Sequence, residues 1–255
     1  MKIGYQTITW RGNLRSAFKD ISDVGFRHVG ISNIPETEEE EIEISSFLGE
    51  YELDLIAAYF GGNYIDKEDF EYEFDDFDKL CRFLEVNNAN HVVVGGGLKK
   101  LEGNSEDDYR ALADALNEMG FLAAEHNIKL CYHPHRGTMV EFPDQIKLIA
   151  DLTDMEFVSF CFDTAHLASG GGDPKSLCKK YVERLAYIHL SDLDFARRFV
   201  ELGKGTLDIR GIWEVLQEIG FDGPAVIELD SADDCRQSCE NNMKFLKNVL
   251  GLYEF

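Results

Sequence analysis

Short apolar runs recur along the chain, separated by gaps long enough for one helix each. They fall at Lys2–Thr9, His28–Ser32, Leu53–Phe60, His91–Gly96, Ile128–His133, Val158–Asp163, Leu185–Ser191 and Pro224–Asp230. The runs are rich in Ile, Val, Leu, Ala and Tyr and mostly do not alternate with polar residues. That is the pattern of parallel strands covered on both faces. The gaps carry helical periodicity: Leu112, Leu116, Met119, Ala123 and His126 share one stripe of the fourth helix, and Ile212, Val215, Leu216 and Ile219 share one of the seventh. Helix punctuation agrees. Ser105 with Asp108 predicts a capping box, and Asp173-Pro174 puts proline in a first turn. Gly25, Gly220 and the pair Asn87-Asn88 stand where helices should end.

Eight strand–helix repeats in 255 residues predict a closed (β/α)8 TIM barrel. The competing open, doubly wound sheet calls for a glycine-rich phosphate turn after its first strand. Here that strand ends Gln6-Thr7-Ile8-Thr9-Trp10-Arg11-Gly12, without G-x-G-x-x-G. No linker, low-complexity tract or repeat divides residues 1–255, so one domain is expected.

Charge changes the picture of partners. With 25 basic and 48 acidic residues the net charge is -23, which disfavours binding to nucleic acid. The acidic runs Glu36–Glu43 and Glu68–Asp78 read as solvated helix faces. No apolar run is long enough to cross a bilayer, so no membrane is expected. Met1-Lys2-Ile3-Gly4-Tyr5 leads into a strand without signal-peptide pattern, which predicts a cytoplasmic protein. The six cysteines form no C-x-x-C pair and are expected to be free thiols, with Cys131 and Cys161 acting as small hydrophobes inside strands.

The candidate chemistry sits where barrel strands end. The stretch Cys131-Tyr132-His133-Pro134-His135-Arg136-Gly137-Thr138-Met139-Val140-Glu141 crowds imidazoles, a guanidinium and a carboxylate into one loop. Glu141, Asp163, His189 and Glu228 lie at or just past the ends of predicted strands five to eight. Converging carboxylates repel one another, and a divalent cation removes that penalty. These four are therefore the expected metal ligands. Oxygen and nitrogen donors suit Mn²⁺ first, with Mg²⁺, Co²⁺ and Zn²⁺ compatible, and no thiolate is expected at hand. Read singly, Asp163 fits a helix N-cap and His189 a core histidine. Glu228, inside Val226-Ile227-Glu228-Leu229, is costly to bury without a partner. His133, His135 and Arg136 are expected to line a pocket. Trp10, Tyr59 and Phe60 suit either an apolar wall for a sugar ring or core packing, and Gly95-Gly96-Gly97 either a close ligand approach or a plain turn.

The chain resembles the xylose-isomerase-like TIM-barrel superfamily of sugar isomerases, epimerases and dehydratases, and within it the inosose dehydratase and inosose isomerase group. The resemblance is carried by His133-Pro134-His135-Arg136-Gly137-Thr138 with Glu141, Asp163-Thr164-Ala165-His166, His189-Leu190-Ser191-Asp192, Gly203-Lys204-Gly205-Thr206-Leu207-Asp208, and Phe221-Asp222-Gly223-Pro224 leading into Val226-Ile227-Glu228. It implies the same four ligands, and that His135 and His166 face the substrate. Asp192 of the third motif is retained and is expected to bind substrate. Ser191 stands where relatives usually have lysine, which leaves the substrate undetermined.

The expected activity is proton abstraction beside the carbonyl of a keto-sugar or keto-polyol, the cation stabilising the enediolate. Glu141, Glu228, His135 and His166 are the expected catalytic residues, as proton acceptor or as acid for a departing hydroxyl. The outcome is dehydration by a lyase, or isomerisation or epimerisation. Competing readings are a sugar-binding or C-glycoside-cleaving subunit that needs a partner chain, within a homo- or hetero-oligomer, and an endonuclease IV-like repair nuclease. Seven histidines and the acidic charge count against the nuclease.

Overall fold

The computed structural model describes residues 1–253. Its strands are β1 (Ile3–Gln6), β2 (His28–Ile31), β3 (Asp54–Gly62), β4 (His91–Gly96), β5 (Lys129–Tyr132), β6 (Val158–Asp163), β7 (Leu185–Leu190), β8 (Asp192–Leu193), β9 (Phe199–Val200) and β10 (Ala225–Ile227). Between them run α1 (Leu14–Val24), α2 (Glu38–Glu50), α3 (Lys67–Val86), α4 (Glu106–Glu125), α5 (Pro143–Leu152), α6 (Thr164–Ser169), α7 (Pro174–Lys180) and α8 (Ile209–Glu218), with α9 (Cys235–Phe245) after β10. Strands β1 to β7 and β10 close a parallel barrel in the order β1-β10-β7-β6-β5-β4-β3-β2. The short antiparallel pair β8–β9 sits on the connection from β7 to α8. This is the expected (β/α)8 architecture.

Local chemistry sets the boundaries. The Ser105–Asp108 capping box forms, with Asp108 N–H on Ser105 Oγ (3.2 Å) and Ser105 N–H on Asp108 Oδ2 (2.9 Å). Asp173 caps α7, and Gly25, Gly220 and Asn88 adopt positive φ (109°, 69° and 56°) where helices stop. The first strand is shorter than its apolar run. Gln6 turns its side chain onto Thr7 N–H (2.9 Å), and residues Thr7–Trp10 coil into a 3-10 turn closed by Arg11 at φ 51°.

Two hydrophobic clusters follow from strand alternation. Val92, Val94, Leu130, Tyr132, Phe160 and Phe162 point outward into the large core beneath the helices. Leu112, Leu116, Met119 and Ala123 of α4 meet that core, as do Ile212, Val215 and Leu216 of α8. Burying each of the Val, Leu, Ile, Phe and Met side chains contributes about 1.5–3 kcal/mol, which holds the helices on the barrel. A smaller cluster fills the lumen: Ile56, Val93, Cys131, Cys161, Tyr187 and Val226, with Ala57 and Ala186. All six cysteines are free. Among the described residues no helix is long and apolar enough to cross a membrane.

Candidate active site and metal centre

The lumen residues predict what stands at the rim above them. Two positions on from Cys131, Cys161, Tyr187 and Val226 come His133, Asp163, His189 and Glu228. Alternation therefore carries four polar groups to the carboxyl-terminal mouth, side by side on β5, β6, β7 and β10. The register fits, with Asp163 paired to His189 and His189 to Val226. All four side chains are buried.

The donor atoms of Asp163, His189 and Glu228 lie within 4.8 Å of one another. His189 Nδ1 and Glu228 Oε2 approach to 2.6 Å, yet no hydrogen bond is aligned between them. His189 Nδ1, His189 Nε2 and Glu228 Oε2 are thus buried without a hydrogen-bond partner. Burial opposes charge on both groups. Glu228 nonetheless stays below the usual carboxylate range because His189 faces it, and His189 is raised by Cys161 and Glu228. Asp163 is pushed up to about 7, by burial first and the Glu228 charge second. Two clustered carboxylates, one of them raised by the other's charge, and a buried His189 Nε2 with no partner are a deficit that a divalent cation would remove, so the residues fit a metal.

Asp163 is both a rim carboxylate and an N-cap. Its Oδ1 accepts from His166 N–H (2.6 Å) at the start of α6, and its Oδ2 from Ser191 Oγ (2.5 Å). Ser191 Oγ also accepts from Ala165 N–H (3.2 Å). Ser191 therefore fixes the orientation of Asp163.

Glu141 does not join this group. It belongs to none of the candidate metal clusters among the described residues. Its Oε2 takes Lys99 Nζ (2.6 Å) and Gly137 N–H (3.3 Å), clipping the β4–α4 loop to the β5–α5 loop. The strand-end carboxylate expected on β5 is a histidine, because Glu141 lies nine residues past Tyr132 rather than at the strand end. Asp192 is also spent elsewhere: its oxygens accept from the amides of Leu193 (2.8 Å), Gly203 (3.0 Å), Gly205 (3.0 Å) and Leu207 (3.1 Å). It builds the Gly203–Leu207 loop and has no free lone pair aimed at a substrate. Trp10 packs into the outer core, its indole donating to Asp20 on α1 (2.9 Å) and its ring edge-on to Tyr5. Nor is sulfur absent, since Cys161 Sγ lies within 4.8 Å of donor atoms of His133 and His189, as a thiol kept protonated by burial.

Three imidazoles gather beside the carboxylates. Donor atoms of His133, His135 and His166 lie within 4.8 Å of one another, and the His135 and His166 rings stand 3.8 Å apart. A carbonyl only accepts, which fixes two tautomers. His135 Nδ1 donates to Arg136 O (2.7 Å), leaving Nε2 with its lone pair. His133 Nδ1 likewise donates to Cys161 O (3.3 Å). His166 is opposite: its Nδ1 accepts from Arg136 N–H (3.4 Å), so the neutral ring carries its proton on the buried, unpartnered Nε2. Burial lowers the pKa of both rings, that of His166 to about 3, so both are neutral near pH 7.

The neutral, buried His166 has a consequence for stability. In the unfolded chain it gains a proton near pH 6.5, whereas in the folded chain it does so only near 3. Its contribution is complete above pH 6.5 and is lost as pH falls toward 3. At pH 5 the loss is about 2 kcal/mol. His166→Gln is expected to lose correspondingly less stability than the native chain between pH 7 and pH 5, measured by urea denaturation.

Tyr59 completes the pocket wall. It lies two positions on from lumen-facing Ala57, edge-on to His133, with its phenol pushed up to about 12 by burial and by Glu228. Phe60, its neighbour, faces the outer core instead. Close packing explains the glycine run, with Tyr59 against its first member. A Cβ on Gly95 would sit 2.4 Å from the Tyr59 hydroxyl, and one on Gly96 would sit 2.0 Å from Gly62 O. Gly95→Ala is expected to displace the phenol and cost about 1–3 kcal/mol, as overpacking does, read as a lowered denaturation midpoint. Tyr59 was legible as a strand-end aromatic, but its partner Gly95 was not.

A family model described as xylose isomerase-like TIM barrel matches residues 18–249. The chain belongs to this family. An inosose dehydratase of Mesomycoplasma hyopneumoniae strain J is 30% identical to this xylose isomerase-like barrel over 214 residues, 76% of this chain and 70% of that protein. Two solved structures share the barrel. A D-tagatose 3-epimerase-like protein superposes with TM-score 0.85 at 18% identity, covering 98% of this chain and 97% of its own. The IOLI protein with a bound zinc atom superposes with TM-score 0.84 at 16% identity, covering 98% of each chain.

Proposed function

We propose that this barrel is a metal-dependent dehydratase of an inosose-like keto-polyol. It removes the proton beside the carbonyl and expels the β-hydroxyl as water. The observation that carries the reading is the pair of complementary tautomers, His135 and His166, beside buried Asp163, His189 and Glu228. The inosose dehydratase relative supports the substrate class, and the zinc in the IOLI structure supports a cation.

Asp163, His189 and Glu228 would hold a divalent ion, which when bound would supply Lewis-acid polarisation of the substrate carbonyl. The donor set suits Mn²⁺, and Mg²⁺, Co²⁺ and Zn²⁺ also fit it. The chain does the rest. Arg136, anchored through Nη1 on Arg197 O (3.1 Å), offers a cation beside the two imidazoles. Tyr59 presents its phenol to the ring hydroxyls. His135 Nε2, held by Nδ1–H on Arg136 O, accepts the α-proton. His166 Nε2–H binds the β-hydroxyl. The His135 imidazolium then returns the proton to that oxygen. One C–H and one C–O bond break, a C=C bond forms beside the carbonyl, and water leaves.

Product analysis tests the reading. The metal-loaded protein incubated with inososes is expected to produce a conjugated product, seen as near-ultraviolet absorbance and as loss of ring protons by NMR. An isomeric ketose without loss of water would instead assign isomerase or epimerase chemistry.

A further inference from the structure

We infer that the fourth ligand of the cation site is His133 and not Glu141, giving two imidazoles and two carboxylates. The inference rests on the metal reading above and assigns a residue within it. Strand parity is the first ground. His133 stands two positions beyond lumen-facing Cys131, as Asp163 stands beyond Cys161, His189 beyond Tyr187 and Glu228 beyond Val226. Four adjacent strands thus each send one side chain to the same level of the mouth.

The tautomer is the second ground. His133 Nδ1–H is committed to Cys161 O, so the remaining Nε2 carries the lone pair a cation needs. An imidazole whose other nitrogen donates to a backbone carbonyl is the usual form of a metal-ligating histidine. His133 is 1% exposed, and one of its donor atoms lies within 4.8 Å of one on His189. Glu141 has the opposite features. It sits in the loop ahead of α5, with its carboxylate neutralised by Lys99 of another loop.

Replacing one carboxylate by an imidazole leaves two negative ligands instead of three. Nitrogen in place of oxygen shifts preference away from Mg²⁺ and Mn²⁺ toward Co²⁺ and Zn²⁺. A site reading Glu, Asp, His and Glu would do the reverse.

Metal binding, read without turnover, tests the assignment. Chelator-stripped protein is titrated with Co²⁺ by visible absorption, with Zn²⁺ and Mn²⁺ in competition, and imidazoles on bound Mn²⁺ are counted by pulsed EPR. His133→Ala is expected to weaken Co²⁺ binding by about 100-fold or more, at or beyond the loss seen when only a supporting partner is removed. The imidazole count should fall from two to one. His133→Glu should recover binding with one imidazole and with Mn²⁺ gaining against Zn²⁺, and Glu141→Gln should leave the affinity unchanged. Circular dichroism checks that each variant folds. Should His133→Ala not fold, Glu141→Gln and His133→Glu still decide. Weak binding in Glu141→Gln, or a single imidazole in the native protein, would overturn the assignment alone. A native protein that binds none of these ions would overturn it together with the metal reading.

Discussion

Glu228→Gln is expected to lower turnover by at least about 10³-fold while leaving the barrel folded, since several kcal/mol of charge stabilisation depend on it. Glutamine keeps the volume of the side chain. What it removes is the charge on a buried carboxylate oxygen 2.6 Å from His189 Nδ1. The same charge is the second cause of the raised Asp163 pKa, after burial, and it helps hold His189 up. One substitution therefore disturbs all three converging groups. Far-UV circular dichroism together with steady-state rates on the metal-saturated variant checks both halves of the expectation. Near-native turnover would mean that Glu228 is a structural acid with no part in the chemistry.

The second large effect separates the two rim histidines. His135→Gln removes the Nε2 lone pair, so both exchange of the α-proton with solvent and loss of water should fall by about 10²–10⁴-fold. His166→Gln keeps that acceptor and alters only the group on the departing hydroxyl. Water loss should then fall while α-proton exchange continues, because the abstracted proton can still return to carbon. The two rates, followed in one NMR experiment, form the test. Equal losses of both in both variants would show that the 3.8 Å pair acts as a unit without divided roles.

Most of the barrel was legible because the apolar runs and helix punctuation agree at every repeat. The eight strands occur in the order expected, and the Ser105, Asp173, Gly25 and Gly220 signals mark helix ends. The site was legible in part. Asp163, His189 and Glu228 converge because each is a strand-end residue with lumen parity. Glu141 reads as a ligand because it follows strand five, although its distance from Tyr132 puts it outside that parity. Reading Cys131-x-His133 beside Cys161-x-Asp163 and Val226-x-Glu228 would have favoured the histidine.

Other misplacements share a cause that no single residue reveals. Asp192 looks available in the motif, yet the adjacent Leu193 amide and three backbone amides of a later loop consume it. Trp10 looks like a sugar platform, yet Asp20 on α1 takes its indole N–H. Polar partners distant in sequence decide which groups remain free, and periodicity carries no record of them. Ser191 is the converse. Its hydroxyl on Asp163 gives a role to a residue that the sequence presents only as a departure from the motif.

The most direct measurement is deuterium exchange. Metal-loaded protein is incubated with a panel of inososes and ketoses in D₂O and followed by NMR, with and without a chelator. Deuterium is expected at the carbon beside the carbonyl of at least one inosose, accompanied by loss of water and abolished by the chelator. Absence of exchange across the panel, or exchange indifferent to the chelator, would contradict it.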